Sequence, residues 1–412
     1  MVCVIHALPL DDGHQIALLQ GTEQLFPALV RAMDAAQHRI QFETYIFDLT
    51  GGGTLVAEAL VRAAGRGVRT SLLVDGYGTG KLPQEWRTRF QASGVKLRVY
   101  SPMGPLGLLL PKRWRRMHRK LCVVDACVLF CGGINVLDDF YDPNYGALDA
   151  PRFDFAVQAT GPLAQQASDA MEKLWHRLQA LQAVQQKRMS MAVHELTQAR
   201  IARQHEKRAA QVAKAAPRPR ALLVLRDNLR HRSRIEKAYL RAIGLAREEI
   251  IIANAYFVPG RKLRRALLMA AERGVQVRLL LQGRYEYFMQ YHAARPVYGT
   301  LLEAGVEIHE YAPSFLHAKV AVIDADTAHP WATVGSSNLD PLSLLLAREA
   351  NVVVEDGTFA QALRTRLVDA MDNAGHLLDP ASYAQRPWRT RVLDRIAFAL
   401  MRALLWLGGK TY

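Results

Sequence analysis

Residues 35–75 read AAQHRIQFETYIFDLTGGGTLVAEALVRAAGRGVRTSLLVD, and residues 246–282 read AREEIIIANAYFVPGRKLRRALLMAAERGVQVRLLLQ. Both pass from a charged turn through a β-rich strand and a loop into an amphipathic helix. An R-G-V turn then leads to an apolar strand. The joins Ala63-Ala64-Gly65-Arg66-Gly67-Val68 and Ala270-Ala271-Glu272-Arg273-Gly274-Val275 correspond closely. Gly67 and Gly274 fall where a helix end calls for positive φ. Each copy continues with a further helix and a glycine turn into a short strand, SGVKLRVY at 93–100 and AGVEIHEY at 304–311. Strands alternating with helices predict an α/β fold, with helices packed on the faces of a β-sheet. The repeat predicts a domain of roughly 150–180 residues present twice.

Working outward, we expect a first domain over 1–180, a basic helical linker over 181–220, a second domain over 221–380 and a tail over 381–412. The linker is rich in Gln, Ala, Arg and Lys and closes on Ala216-Pro217-Arg218-Pro219, an extended spacer. It reads equally as a solvated connecting helix or as a binder of acidic lipid.

Each repeat then carries the pattern His-x-Lys-x-x-x-x-Asp. In the first it is His118, Lys120 and Asp125, followed by Gly132-Gly133-Ile134-Asn135; in the second it is His317, Lys319 and Asp324, followed by Gly335-Ser336-Ser337-Asn338. On a β-strand, residues two apart point to one face, so His and Lys are expected side by side. The apolar run after each Lys suits a buried strand, and the Gly-led return brings an Asn toward the same point. An imidazole, an ammonium and an amide suit a phosphate. Asn135, Asn338 and the Ser336 hydroxyl are the expected phosphate donors, and Gly133 stands where Ser336 stands in the other repeat. Asp125 and Asp324 belong to the motifs but lie far along the strand, and are read as holding the strand ends. A lone strand His is more often structural; two matched sets argue against chance.

The paired motif resembles the signature of the phospholipase D superfamily, over about residues 15–380. Met117-His118-Arg119-Lys120 with Gly-Gly-Ile-Asn, Ala253-Asn254-Ala255-Tyr256-Phe257, and Gly335-Ser-Ser-Asn338-Leu-Asp-Pro-Leu-Ser343 are similar to bacterial cardiolipin synthases, and to their B type in lacking N-terminal spans. The resemblance implies two such domains related by a pseudo-twofold axis, with the active site at their interface and no metal or cofactor. It implies that one His attacks phosphorus to form a phosphohistidine, while the other protonates the leaving alcohol and deprotonates the incoming one. The residues leave the nucleophile open; the resemblance favours His118, with His317 as acid and base. It also implies an acidic residue orienting each His. Glu349 matches well, and Asp154 is the candidate in the first repeat, across an inserted loop.

The same active site serves lipases, lipid synthases and nucleases, so features outside it must decide. Lys and Arg number 53 against 38 Asp and Glu, a formal charge of +15, which points to an anionic partner. Residues 99–120 place Leu106, Leu108, Leu109 and Leu110 ahead of a basic, Trp-bearing segment leading to His118. That pattern fits either a loop dipping into a headgroup layer or one packed on the second domain. Residues 388–407 form an amphipathic stretch with Arg391, Arg395 and Arg402 on one side and Trp388 and Trp406 near its ends. It reads as an interfacial helix, with docking on the protein's own core as the alternative. No run of about 18 apolar residues occurs, so no membrane span is predicted, and no secretory signal is seen. Nucleic acid, which would need a basic groove with stacking aromatics, is not expected, since aromatics are 8% of the chain and no separate binding module is evident. Cys122, Cys127 and Cys131 lack zinc-site spacing and read as buried thiols near a strand hairpin, reduced, like Cys3, in the cytoplasm.

The expectation is a peripheral enzyme on the cytoplasmic face of the bacterial inner membrane. It would join two phosphatidylglycerol molecules of an anionic phospholipid bilayer into cardiolipin. A hydrolytic phospholipase D, a phosphatidylethanolamine-using synthase and a phosphodiesterase-type nuclease are the alternatives.

Overall fold

The computed structural model describes residues 8–9, 13–102, 115–215, 220–227, 231–285, 288–340 and 347–407. The two repeats form two mixed sheets. From edge to edge the first runs Leu8–Pro9, Gln15–Gln20, Phe155–Thr160, Val128–Gly132, Leu121–Val124, Arg39–Thr44, Arg69–Asp75 and Lys96–Tyr100. The second runs Ala221–Arg226, Ala347–Val354, Trp331–Gly335, Lys319–Ile323, Glu249–Asn254, Gln276–Gln282, Glu307–Tyr311 and Gly375–Leu377. In each, the last three strands of the matched repeat are parallel and joined through helices, and the motif strands are antiparallel to them. Gly67 and Gly274 adopt φ of +88° and +86° with open space where a Cβ would stand. It is therefore backbone conformation, not crowding, that selects glycine at both.

Strands such as Leu121–Val124 and Lys319–Ile323 are buried along their whole length, because helices cover the outer face of each sheet, and the other sheet together with the helices Pro162–Gln185 and Gly357–Ala374 covers the inner one. One apolar cluster joins Leu121, Val123, Phe155 and Val157 of the first half to Val320, Val322, Val334 and Val352 of the second. Two further clusters lie under the outer helices, one in each half.

The halves also exchange backbone. Arg116–Met117, just ahead of the first motif, pairs in parallel with Ala347–Val354 of the second sheet. Leu316, just ahead of the second motif, bridges Phe153 of the first half. His118 N–H donates to the Arg348 carbonyl at 3.0 Å, and His317 N–H to the Phe153 carbonyl at 2.9 Å. Each His therefore stands in an extended crossing between sheets rather than on a buried strand, which begins at Leu121 and at Lys319.

Pro162–Gln185 and Met189–Ala215 form a helical hairpin with Ala180, Ala183, Ala192 and Ala199 buried between them. Residues 216–219, read as an extended spacer, and residues 103–114, read as an apolar loop, lie outside the described residues. The tail forms the helix Trp388–Leu407, which docks on Phe288–Glu303. Among the described residues, no helix is long and apolar enough to cross a membrane. Cys122 and Cys131 are buried on adjacent strands with their thiols on opposite faces, and Cys127 at the hairpin turn is exposed, against the expectation of a buried thiol. Burial pushes Cys131 up to about 12, so it is an inert core residue.

Candidate active site

In each motif the Lys folds back on its own His. Lys120 Nζ donates to the His118 carbonyl at 3.0 Å, and Lys319 Nζ to that of His317. The carboxylates come from the opposite half. His118 Nδ1 lies 3.1 Å from Glu349, 231 residues away, and 3.1 Å from the Ser336 carbonyl. His317 Nδ1 lies 2.6 Å from Asp154, 163 residues away. The backbone exchange explains the crossing. Each His N–H bonds the residue directly before the carboxylate, so imidazole and carboxylate are carried into register together. With Nδ1 committed to an acceptor, each ring keeps Nε2 for chemistry.

Asn135 is buried, and its Oδ1 accepts from Ile46 N–H at 3.2 Å, which leaves the amide N–H₂ as a donor. Asn338 is buried at the matching place, and its Oδ1 has no protein partner among the described residues. Ser336, expected to face the phosphate, is instead wholly buried. Its hydroxyl donates to Glu349 at 2.5 Å and accepts from Ala350 N–H at 3.0 Å. It buttresses the carboxylate. In the first half no hydroxyl fits there, because a Cβ on Gly133 would lie 2.3 Å from Asp154 Oδ1. The shorter Asp takes the space that Ser occupies beside the longer Glu.

Asp125 and Asp324 stand apart from this cluster. Asp125 accepts from the N–H groups of Gln37, His38 and Arg39 at 2.7–2.8 Å, and Asp324 from those of Arg247, Glu248 and Glu249 at 2.8–3.0 Å. Both adopt φ near +50°, which Asp tolerates better than most residues. They tie the far end of each motif strand to its neighbour, which excludes them from direct chemistry.

Several residues escaped the sequence reading. Asp75 Oδ2 accepts from Met117 N–H at 2.8 Å and Gln282 Oε1 from Leu316 N–H at 2.9 Å, each one residue before a motif His. Both close the quoted repeats at the same position, a signal available in the alignment. Arg119, between His118 and Lys120, faces the other way and donates to the carbonyls of Glu349 at 3.3 Å and Arg226 at 3.2 Å. Tyr45 meets His118 edge-on at 4.9 Å, and Lys120 Nζ lies 5.4 Å from its ring centre.

Electrostatically the two sets act as one. Burial pushes Lys120 down to about 7, with the pull of Glu349 opposing and Lys319 assisting. Burial, then Lys319 and Lys120, hold His317 well below its ordinary range, and burial lowers His118 against the pull of Glu349. Burial raises Asp154 to about 7. Glu349 differs: burial would raise it, but His118, Lys120 and the Ser336 hydroxyl outweigh that and keep it below its usual value. His118, His317, Lys120 and Lys319 thus act on one another across the two halves, with Asn135 and Asn338 buried at matching places, a set of groups that suits a phosphate diester.

Comparison with known proteins places the chain among relatives. The family described as "Cardiolipin synthase, PLD-like domain" matches residues 29–175 and 239–370. Cardiolipin synthase B of Escherichia coli K12 is 37% identical over 404 residues, covering 97% of this chain and 92% of that protein. Cardiolipin synthase A of Cronobacter sakazakii is 27% identical over 390 residues, covering 94% and 75%. Among solved structures, phosphatidylserine synthase of Haemophilus influenzae shares the fold with a TM-score of 0.64 at 14% identity, covering 96% of this chain and 95% of that one.

Proposed function

The chain belongs to the cardiolipin synthase family of phospholipase D-like enzymes, and from that premise we propose that it moves a phosphatidyl group from one phosphatidylglycerol to the hydroxyl of a second, releasing glycerol. His118 Nε2 attacks phosphorus as the P–O bond to glycerol breaks, and His317 gives its proton to the departing oxygen. The P–N bond of the resulting phosphohistidine then breaks as the second lipid's hydroxyl oxygen attacks and His317 takes the hydroxyl proton. Lys120, Lys319, Asn135 and Asn338 hold the non-bridging oxygens, where one such donor contributes roughly 10²–10³ in rate. Glu349 and Asp154 orient the imidazoles.

The observation that carries this reading is the crossed pairing of each imidazole with a buried carboxylate of the other half, which leaves each ring its Nε2, in two imidazoles close enough to influence each other electrostatically. The roles follow from the difference between the pairs. Glu349 stays ionised beneath His118, with a second acceptor at Nδ1, and so suits a cationic phosphohistidine. Asp154, raised by burial to about 7, lies 2.6 Å from His317 Nδ1, which supports His317 as the acid and base. The enzyme works on lipid at the membrane surface, from its cytoplasmic face.

The test supplies purified protein with phosphatidylglycerol vesicles, beside His118→Ala. Cardiolipin and glycerol in equal amounts, absent with the variant, are expected. Phosphatidic acid as the main product would replace the synthase reading with a hydrolase. Product formed only when phosphatidylethanolamine is added would change the donor. Phosphate trapped on His317 would reverse the two roles.

A further inference from the structure

The helix Trp388–Leu407 has three distinct faces. Asp394, Ala397 and Met401 are buried against Phe288–Glu303. Asp394 is the polar anchor of that contact, receiving His292 Nδ1 at 2.7 Å and Arg386 Nη1 at 3.1 Å. Opposite the buried face, Trp388, Val392, Ile396 and Leu400 recur every four residues and are all exposed, Trp388 by 65%, Ile396 by 51% and Leu400 by 53%. At about 100° per residue this stripe lies roughly 160° from the docked face. Arg391, Arg395 and Arg402 form a third, exposed band beside the stripe. The docked face therefore carries Asp394, Ala397 and Met401, with Phe398 packed beside them, while the stripe Trp388, Val392, Ile396 and Leu400 is left facing outward, more exposed apolar surface than a helix held only by its own core would present.

This face is connected to the candidate site. Tyr383, just ahead of the helix, contacts Arg295 and Tyr298, whereas Asp394 contacts His292, so the helix runs antiparallel to Phe288–Glu303, toward that helix's N-terminal end. At that end, His292 touches the rings of Phe288 and Tyr285, at 4.6 and 6.3 Å, and both rings are exposed. Tyr285 follows Gln282, which holds Leu316 beside His317, and Arg284 lies 5.9 Å over the ring of Phe315. Exposed Tyr285 and Phe288 thus stand at the end of the helix toward which the tail runs, and Gln282 and Arg284 connect that stretch to the residues just ahead of His317.

We infer that this surface, the stripe Trp388–Val392–Ile396–Leu400 with Tyr285 and Phe288, is where the enzyme sits on an anionic bilayer, bringing the His317 side of the site to headgroup level. The apolar stripe enters the boundary between headgroups and acyl chains, and Arg391, Arg395 and Arg402 meet lipid phosphates, a division suited to an amphipathic helix in the interface plane. The charge complementarity selects the occupant: the arginine band and the chain's formal +15 favour an anionic lipid surface. The inference rests on the lipid-transferase reading above.

The test measures flotation of the full chain with vesicles of phosphatidylcholine alone or mixed with phosphatidylglycerol, for wild type, Ile396→Asp/Leu400→Asp, Arg391→Glu/Arg395→Glu and His118→Ala. Thermal unfolding of each confirms an intact fold. Turnover is followed on vesicles and on a short-chain, monomeric phosphatidylglycerol. Wild type and His118→Ala are expected to bind mixed vesicles alike. The apolar double variant should bind at least about tenfold more weakly, and lose vesicle turnover in parallel, while short-chain turnover stays within about twofold. The arginine variant should lose the preference for the anionic mixture. Wild-type binding by both surface variants would overturn the inference even if cardiolipin is made. So would a wild-type dimer that the apolar variant dissociates without change in lipid binding. Stripe-dependent binding without cardiolipin synthesis would leave the docking surface standing and remove the transferase reading instead.

Discussion

Gly133 and Ser336 occupy matching positions, and the contrast between them shows how the two imidazoles come to differ. Ser336 pins the longer Glu349; Gly133 makes room for the shorter Asp154. Gly133→Ser should therefore displace Asp154 and tilt His317, lowering kcat by about 10²-fold or more with the fold intact by circular dichroism. Gly133→Ser/Asp154→Glu, which copies the other half, should be more active than the single variant. Lys120 permits a second prediction. Its ammonium, brought down to about 7 by burial, is charged below that pH and lost above it. The kcat/KM profile should then fall on the alkaline side with an apparent pKa near 7, and the kcat limb should lie higher because a bound phosphate favours the ammonium. Lys120→Arg should abolish that limb across the accessible range, at a lower plateau, since a guanidinium stays charged. At single positions the sequence was legible where chemistry and repetition coincide, as in both His-Lys pairs and both Asn residues. It misled at Ser336, because a hydroxyl beside a phosphate motif and one beneath a carboxylate look alike in a string of letters.

The strands that deliver the motifs are steered by residues outside them. Asp75 and Gln282, at the ends of corresponding parallel strands, each accept a backbone N–H one residue before a His. Asp75 also accepts from Tyr77 and Gly78 N–H groups, so Asp75→Ala leaves three donors to be satisfied otherwise. We expect about 1–3 kcal/mol of lost stability in urea unfolding and a kcat loss larger than any change in KM, with Asp75→Asn in between, since its single amide oxygen can replace only one of the two accepting carboxylate oxygens. Arg119 is the counterpart on the far face of the crossing. Arg119→Leu removes donors to two carbonyls of the second half and leaves the buried Glu43 without its nearest cation, 3.9 Å away. The cost should be about 3–5 kcal/mol, partly recovered by Glu43→Gln. Helix and strand order was readable because the apolar periodicity of each repeat is local. That each motif begins in a crossing between sheets was not, since an extended segment reads the same whichever sheet it joins.

Across the whole molecule, the apolar cluster shared by both sheets makes the halves interdependent. Residues 1–215 and 220–412 expressed separately should each expose this surface and be recovered as aggregate, whereas co-expression should restore soluble, active protein; independent folding of either fragment would contradict a shared core. The repeated α/β pattern, the two motifs and the amphipathic tail were all present in the chain as written, because each depends on spacings of a few residues. Tertiary structure alone decided that Glu349 serves His118 and Asp154 serves His317, across 231 and 163 residues, and that the tail docks through Asp394 with its apolar stripe outward. Those choices depend on how two sheets exchange backbone and on which face of a helix finds a partner, and local periodicity carries no record of either.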